Sequence, residues 1–384
     1  MMIFSDAAWM NEELSMLADA AEKFFAAELL PNIDEYIEQK QVSLELWQKA
    51  GEYGLLAASI PEEYGGMGGD YTHEAVIFSE LGRSGDTGFG LHVHNIAIHY
   101  ILAFGTEDQR QRWLPRLATG ELRGGICMTE PGTGSDLQAI RTRADKQGDE
   151  YVINGSKTFV SNGQVGNFFV VVAKTDSTAG AKGISLFGVE TDALEGFRRG
   201  TNLDKLGLHA QDTSELFFED MRVGVEDLMG GVEGQGFGQL MNELAWERLI
   251  VALGSLGACE LAMRETIRYV NERKAFGQTL MQFQNTRFKL AEAKTKLEVT
   301  RAFIEKCIGK KVQGRLTAAE ASMAKLWSTE IQNEIVDECL QLHGGYGYMM
   351  EYPIARMFAD ARVQKIYAGT SEIMKELISR SLTE

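Results

Sequence analysis

Cys127-Met128-Thr129-Glu130-Pro131-Gly132-Thr133-Gly134-Ser135-Asp136 concentrates more binding chemistry than any other stretch of this 384-residue chain. Thr129, Thr133 and Ser135 offer hydroxyl donors. Gly132 and Gly134 let the backbone approach a ligand closely and supply positive φ without penalty. Successive free N–H groups in such a turn make a cradle for a phosphate or for the polar edge of a flat heterocycle. No Gly-Lys-Ser/Thr follows, so the segment is not a P-loop. Read alone, it is equally an ordinary turn.

Other groups that could do chemistry are fewer. His92 and His94 alternate like residues on one face of an extended segment, with His99 close behind. No carboxylate or cysteine stands at ligand spacing to them, so no metal site is expected, and core or cavity-wall histidines are the plainer reading. The four cysteines, 127, 259, 307 and 339, are scattered without CxxC spacing, which suits reduced thiols rather than a disulfide frame. Cys127 reads as a packing residue. Gly234-Gln235-Gly236-Phe237-Gly238 lacks a preceding strand in a βαβ unit, so it reads as a loop before a helix and not a dinucleotide fingerprint.

Composition sets outer bounds. With 38 basic against 55 acidic residues the formal charge is −17, which argues against nucleic acid or an anionic membrane as partner. The N-terminal Met-Met-Ile-Phe-Ser-Asp shows no signal peptide, the end Ser381-Leu382-Thr383-Glu384 is no peroxisomal address, and no long apolar run suggests a membrane span. A cytoplasmic protein is expected.

The elements that must position these groups divide by periodicity into an α+β order. Residues 1–124 are helical: Leu14, Leu17, Ala21, Phe24 and Leu29 recur at three- and four-residue steps, Pro31 stops the run, and a helix is expected around His73–Leu81. Residues 125–228 switch to short apolar β-type runs at Phe168–Ala173, Ile184–Val189 and Leu216–Phe218. There, Tyr151-Val152-Ile153 and Thr158-Phe159-Val160 flank Asn154-Gly155-Ser156-Lys157, which reads as a hairpin. An antiparallel barrel or sandwich follows. Residues 229–384 are long helices, with Leu290, Ala293, Leu297, Ile304 and Ile308 on one stripe and Ala324, Trp327, Ile331, Ile335, Cys339 and Leu342 on another. No proline interrupts the chain between Pro131 and Pro353, as a bundle requires.

Five segments in this order give the chain a specific likeness. They are Cys127–Asp136, Asn154–Gly163, Arg273-Lys274-Ala275-Phe276-Gly277, Gln341-Leu342-His343-Gly344-Gly345-Tyr346-Gly347 and Ile366-Tyr367-Ala368-Gly369-Thr370-Ser371-Glu372. Over essentially its whole length the chain resembles the acyl-CoA dehydrogenase family, and its C-terminal half is most similar to the long-chain and isovaleryl branches. The resemblance implies an N-terminal helical domain, a middle β-barrel, a C-terminal helical bundle, FAD as cofactor and a homotetramer. By that matching Ile126, Cys127, Met128, Thr129, Gly134 and Ser135, with Phe159, Val160 and Ser161, line the flavin. Arg273, Gln284, Gln341, Leu342, His343, Gly344 and Gly345 reach its pyrophosphate and adenine, partly from a neighbouring subunit, and Thr370, Ser371 and Glu372 complete the set. Arg273 is a fork of donors suited to phosphate. Gly344-Gly345 could equally be a helix C-cap, and Phe159 a core aromatic.

One departure decides the chemistry. Where much of the family has its catalytic carboxylate after the tyrosine of the last motif, this chain has Ala368. The resemblance to the long-chain and isovaleryl enzymes puts the base at Glu247 instead. Its neighbours Leu244, Trp246, Leu249 and Ile250 are apolar, so the pKa should rise toward a general base's range. A surface Glu paired with Arg248 or Arg264 is the competing reading. The backbone N–H of Ala368 would still donate to the thioester oxygen. The implied reaction takes a proton from Cα at Glu247 and a hydride from Cβ to flavin N5, giving a trans-2-enoyl thioester and passing electrons to an electron-transferring flavoprotein. Ser135, Ala245, Trp246, Arg248, Ala368 and Gly369 would contact the acyl-CoA, with Arg248 fixing the loop. A flavin oxidase or monooxygenase, an acyl-ACP dehydrogenase and an idle scaffold stay open as alternatives, as do chain length and branching.

Overall fold

The computed structural model describes residues 3–85 and 88–382. Met1-Met2 and Thr383-Glu384, which bear on the reading of the termini, lie outside the described residues. Six α-helices come first: α1 (Glu12–Phe24), α2 (Ile33–Gln39), α3 (Leu44–Glu52), α4 (Tyr71–Ser84), α5 (Leu91–Phe104) and α6 (Glu107–Ala118). Pro31 does not end the helical course. A π-helical turn (Phe25–Leu29) and a 3-10 turn (Leu30–Asn32) carry the chain past it into α2. Local chemistry fixes the helix starts. Asp70 accepts from Thr72 N–H while His73 Nδ1 accepts from Asp70 N–H, and Thr106 and Gln109 close a capping box on α6.

The middle of the chain is β: β1 (Gly124–Cys127), β2 (Arg143–Gln147), β3 (Glu150–Ser161), β4 (Phe168–Lys174), β5 (Ile184–Glu190), β6 (Phe197–Asn202) and β7 (Thr213–Gly224). They form one seven-stranded sheet in the order β1-β4-β2-β3-β7-β6, with β5 also on β4. This is a half-barrel with two parallel pairings, β1 with β4 and β2 with β4, among otherwise antiparallel ones. The expected hairpin at Asn154-Gly155 is not there. β3 runs straight through it, and the reversal lies between Gln147 and Glu150. Gly155 sits at φ 154° with its missing Cβ against Thr142, so Asn154-Gly155 marks a bulge against β7 rather than a turn. Alternation along the strands splits the sheet's two faces. Phe168, Val170, Val172 and Leu186 pack with α5 and α6, while Phe169, Val171, Phe187, Leu216 and Phe218 form the other face.

Five helices follow: α7 (Gly236–Glu272), α8 (Gln284–Val312), α9 (Ala318–His343), α10 (Pro353–Ala361) and α11 (Ser371–Arg380), with a short ribbon of β8 (Lys274–Ala275) and β9 (Gln278–Thr279) between α7 and α8. The glycine cluster at 234–238 opens α7, which runs for 37 residues, or about 55 Å. Leu290, Ala293, Leu297, Ile304 and Ile308 are buried on α8, whereas Trp327 on α9 is 43% exposed and leaves the stripe assigned to it. Trp327 instead turns its indole N–H to Thr300 Oγ1 at 2.9 Å. No helix among the described residues is long and apolar enough to cross a membrane.

Close helix approach is built on glycine. A Cβ at Gly82 of α4 would lie 2.5 Å from Gly254 O of α7, and one at Gly257 2.4 Å from Ser79 O. Backbone packed on backbone holds α4 and α7 at a separation no larger residue permits. Gly82→Ala should therefore destabilise the protein by about 2 kcal/mol despite alanine's better helix propensity. Denaturant unfolding checks this, and unchanged stability would show that the two helices can slide apart freely.

Candidate active site

Glu247 lies near the middle of α7's first half and is 6% exposed. Tyr100, wholly buried on α5, donates its Oη–H to Glu247 Oε1 at 2.8 Å. Burial is the main influence and pushes the carboxyl up to about 7. The Tyr100 hydrogen bond and the Arg248 charge pull it down, and the nearby Glu243 pushes it up further. The competing reading, a surface acid paired with arginine, does not hold: Arg264 is exposed and pairs with Glu265, and no ion pair is recorded between Glu247 and Arg248. Trp246 is buried beside it. Its indole N–H points to Asn95 Oδ1 at 3.4 Å and its ring meets Tyr71 edge-on at 4.7 Å, so it sets the fit of α7 against α4 and α5. Ala245 is partly exposed.

The loop before α11 approaches the same neighbourhood. Ala368 has φ 52° and Gly369 φ 94°, a left-handed stretch that turns successive peptide groups outward. Lys325 of α9 donates to Gly369 O at 2.8 Å. Burial, and next the charge of Arg248, pull the Lys325 ammonium down to about 8. Arg248 is itself buried, with its Nε lacking a hydrogen-bond partner. Glu247 and Lys325 both feel the Arg248 guanidinium, which ties Glu247 and the Ala368 loop to one locality. Thr370 Oγ1 caps α11 by accepting from Ile373 N–H, Ser371 Oγ donates to Glu330 at 2.7 Å, and Glu372 occupies the first turn.

The loop at 127–136 is clamped to β3. Thr158 N–H donates to Thr129 O at 2.9 Å. Lys157, with no exposed surface, reaches Glu130 Oε1 at 2.9 Å and Met128 O at 3.2 Å, while Glu130 accepts from the N–H groups of Arg141 and Thr142. Neither Gly132 nor Gly134 has positive φ, contrary to expectation. Their value is space: nothing lies within 4 Å of a Cβ at Gly132, and at Gly134 only the Thr129 methyl at 3.9 Å. The left-handed residue is Phe159, at φ 57°, where a second bulge in β3 throws its ring outward to 68% exposure. It is no core aromatic. Val160 turns back into the core, and Ser161 is partly exposed at the strand's end. Ile126 is partly exposed and Cys127 buried, its thiol pushed by burial up to about 12, a packing residue as expected. Ser135 is exposed. An outward aromatic beside an open, clamped loop fits a flat ring such as a flavin.

A second cluster surrounds the end of α7. Arg273 lies 5.4 Å over the Tyr346 ring, and Gln284 begins α8. Gln341, Gly344 and Gly345 are exposed and Leu342 partly so; Gly344, at φ 60°, is the C-cap of α9 as the plainer reading had it. His343 is buried, held to Cys339 O at 2.8 Å and stacked on Tyr269 at 4.3 Å, so its imidazole is engaged within the fold. No hydrogen bond among the described residues joins this cluster to the Phe159 loop.

The three histidines lie on a helix, α5, and not on an extended segment. His94 Nδ1 accepts from Gly124 N–H and its Nε2 donates to Leu117 O; His99 meets Glu74 at 2.9 Å; His92 stacks on Phe78. Reading the segment as extended is also what hid Tyr100. With helical spacing, Tyr100 falls one turn beyond Ile96, on a helix packed against α7. Lys325 carried no sequence signal; Glu130, Lys157 and Asn162, whose amide donates to Gly90 O and Gly124 O, lie within the motif segments, but their pairings could not be read from them.

Comparison with known proteins agrees with this layout. Residues 11–121, 125–221 and 234–383 match the family models described as the acyl-CoA dehydrogenase N-terminal, middle and C-terminal domains. The chain is 47% identical over 375 residues to the mitochondrial long-chain specific acyl-CoA dehydrogenase of Rattus norvegicus, covering 97% of this chain and 87% of that one. Among solved structures it superposes on an acyl-CoA dehydrogenase from Geobacillus kaustophilus with a TM-score of 0.95 at 44% identity, covering 98% and 100% of the two chains. It also matches a chain in a structure of the electron transferring flavoprotein of Acidaminococcus fermentans, with a TM-score of 0.93 at 36% identity over 97% and 98%. With three successive domains matched and an oxidoreductase fold reproduced end to end, the chain belongs to the acyl-CoA dehydrogenase family.

Proposed function

We propose that this protein dehydrogenates an acyl-CoA thioester to the trans-2-enoyl-CoA with Glu247 as the base. The observation that carries the reading is a buried carboxyl at about 7, held by Tyr100, in a chain whose position 368 is alanine. A base near neutrality combines a useful deprotonated fraction with enough proton affinity to abstract from carbon. Members of the family depend on FAD, which when bound supplies the acceptor for the hydride leaving Cβ. The exposed Phe159 ring, the open Gly132–Ser135 backbone and the hydroxyl of Ser161 are the groups that would hold the flavin end. Arg273, Gln284 and the Gln341–Gly345 backbone would hold the far end.

Glu247 takes the Cα proton. The Ala368 N–H, oriented through the hydrogen bond from Lys325 to Gly369 O, stabilises charge that develops on the thioester oxygen. Arg248 keeps that loop and the base in register, and the apolar wall around Trp246 excludes water. The 47% identity to a long-chain enzyme supports an aliphatic acyl chain, and the likeness to a chain in a structure of an electron transferring flavoprotein supports such a flavoprotein as acceptor. Exposed aromatics such as Phe276 (96%) and Tyr348 (81%) support assembly of several copies, read here as a tetramer.

Four measurements test this. Anaerobic bleaching of the flavin across a panel of acyl-CoAs should rise with pH around 7, since only deprotonated Glu247 can act. Glu247→Gln should slow bleaching by about 10³-fold or more with cofactor content unchanged, and near-normal bleaching would exclude Glu247. Adding Ala368→Glu to that variant should recover part of the rate if both positions address one Cα. Lys325→Met should lower kcat by about 10-fold through a misaligned Ala368 N–H; an unaltered kcat would remove Lys325 from the catalytic loop's support.

A further inference from the structure

We infer that Tyr100 and Glu243 are positioning residues that set the proton affinity of Glu247 in opposite directions. This rests on Glu247 being the base. Tyr100 reaches the carboxylate from another helix, at 2.8 Å, with both side chains buried. Burial and then the charge of Glu247 push the Tyr100 phenol well above its ordinary value, so it remains an O–H donor at every working pH. A donor fixed on one carboxylate oxygen favours the charged form and holds one rotamer.

Glu243 stands one turn earlier on the same face of α7, about 6 Å away by helix geometry. It is buried, and its Oε2 has no hydrogen-bond partner and no solvent. The unsatisfied oxygen is notable in so crowded a polar setting. The neighbouring acid Glu74 is fully satisfied by Ser59, Asn95 and His99. Among the described residues Glu243 has no such donors: burial and, less, the Glu74 charge raise its own proton affinity, the charges of His99 and Lys311 lower it, and Lys311 sits over the Tyr71 ring at 4.2 Å, so Glu243 opposes ionisation of Glu247 in so far as it is itself ionised. A second carboxyl in this position resists ionisation of the first, because two negative charges in a low-dielectric locality repel.

The groups that act on Glu247 itself are Tyr100 from α5 and Glu243 and Arg248 from α7; Tyr71 and Glu74 from α4, His99 from α5 and Lys311 from α8 act on Glu243, and Lys325 from α9 faces Arg248. Of these, Tyr100 makes the direct hydrogen bond to Glu247, and Glu243 acts on it as the like charge. A proton lost from Glu247 is thus opposed by Glu243 and assisted by Tyr100, and the neutral working range is the balance between them.

Two variants that preserve shape test the balance in the FAD-loaded enzyme. Tyr100→Phe should move the pH midpoint of single-turnover flavin bleaching up by about one unit, and Glu243→Gln should move it down by a comparable amount. The double variant should return near the wild-type midpoint. The same shifts should appear without turnover, in the infrared carbonyl band of the Glu247 acid, identified by its loss in Glu247→Gln. Cofactor content and melting temperature show whether each variant is folded. Should either variant misfold, the infrared titration of the other alone decides. Midpoints that stay put in both readouts, or move in the same direction, overturn the inference. If Glu247→Gln keeps its bleaching rate, the base assignment fails instead, and the infrared titration still reports on the tuning by itself.

Discussion

A single carboxyl group withdrawn from water governs the design of this protein. Glu247, on α7, is buried and held by Tyr100 of α5, and about two to three turns further along α7 the close contacts at Gly254 and Gly257 bring α4 onto the same helix. An ionisable group in such surroundings is a burden on folding, since its charged form is disfavoured there while the unfolded chain ionises it freely. Between about pH 4.5 and 7 the folded state binds the extra proton, so the group's contribution turns unfavourable as pH rises through that window. The elements nearby compensate with satisfied polar contacts, among them the Glu74 network and the Trp246–Asn95 contact.

The β domain solves a different problem. It presents an exposed aromatic ring, Phe159, and an open loop, Gly132–Ser135, at its surface, each in a fixed place. Two bulges in β3 and the buried Lys157–Glu130 pair do this. An ion pair without solvent gives little net stability but is strongly destabilised when one partner is lost. That asymmetry makes it a stringent way of fixing where the loop sits relative to the strand.

Much of this was legible in the chain. The helix–sheet–helix order follows from hydrophobic period, and the strands at Phe168, Ile184 and Leu216 stand where apolar runs meet polar turns. What misled was local. Asn154-Gly155 has the composition of a reversal, but the pairing of β3 with both β2 and β7 overrides turn propensity and converts it to a bulge. The histidines at 92 and 94 alternate as a strand would, yet the run through Phe104 is helical, and with the wrong period Tyr100 lost its place opposite Glu247. Trp327 looked like a core residue by spacing alone, although its indole lies over the outside of α8 and α9. Long-range partners such as Lys325 on Gly369 leave no trace in neighbouring residues, because the contact spans 44 positions of sequence.

On the proposed assignment, seating proton chemistry on α7 also changes what is required of the 366–370 segment. An alanine methyl at 368 has no proton to take or give, while the backbone at 368 and 369 is left-handed. Substitutions there are filtered by conformation and not by acidity, so small residues and those tolerant of αL can drift into the position over evolutionary time. Such drift would reshape the room beside the acyl group and leave the acid untouched, which gives a lineage a way to explore new substrates without rebuilding its catalyst.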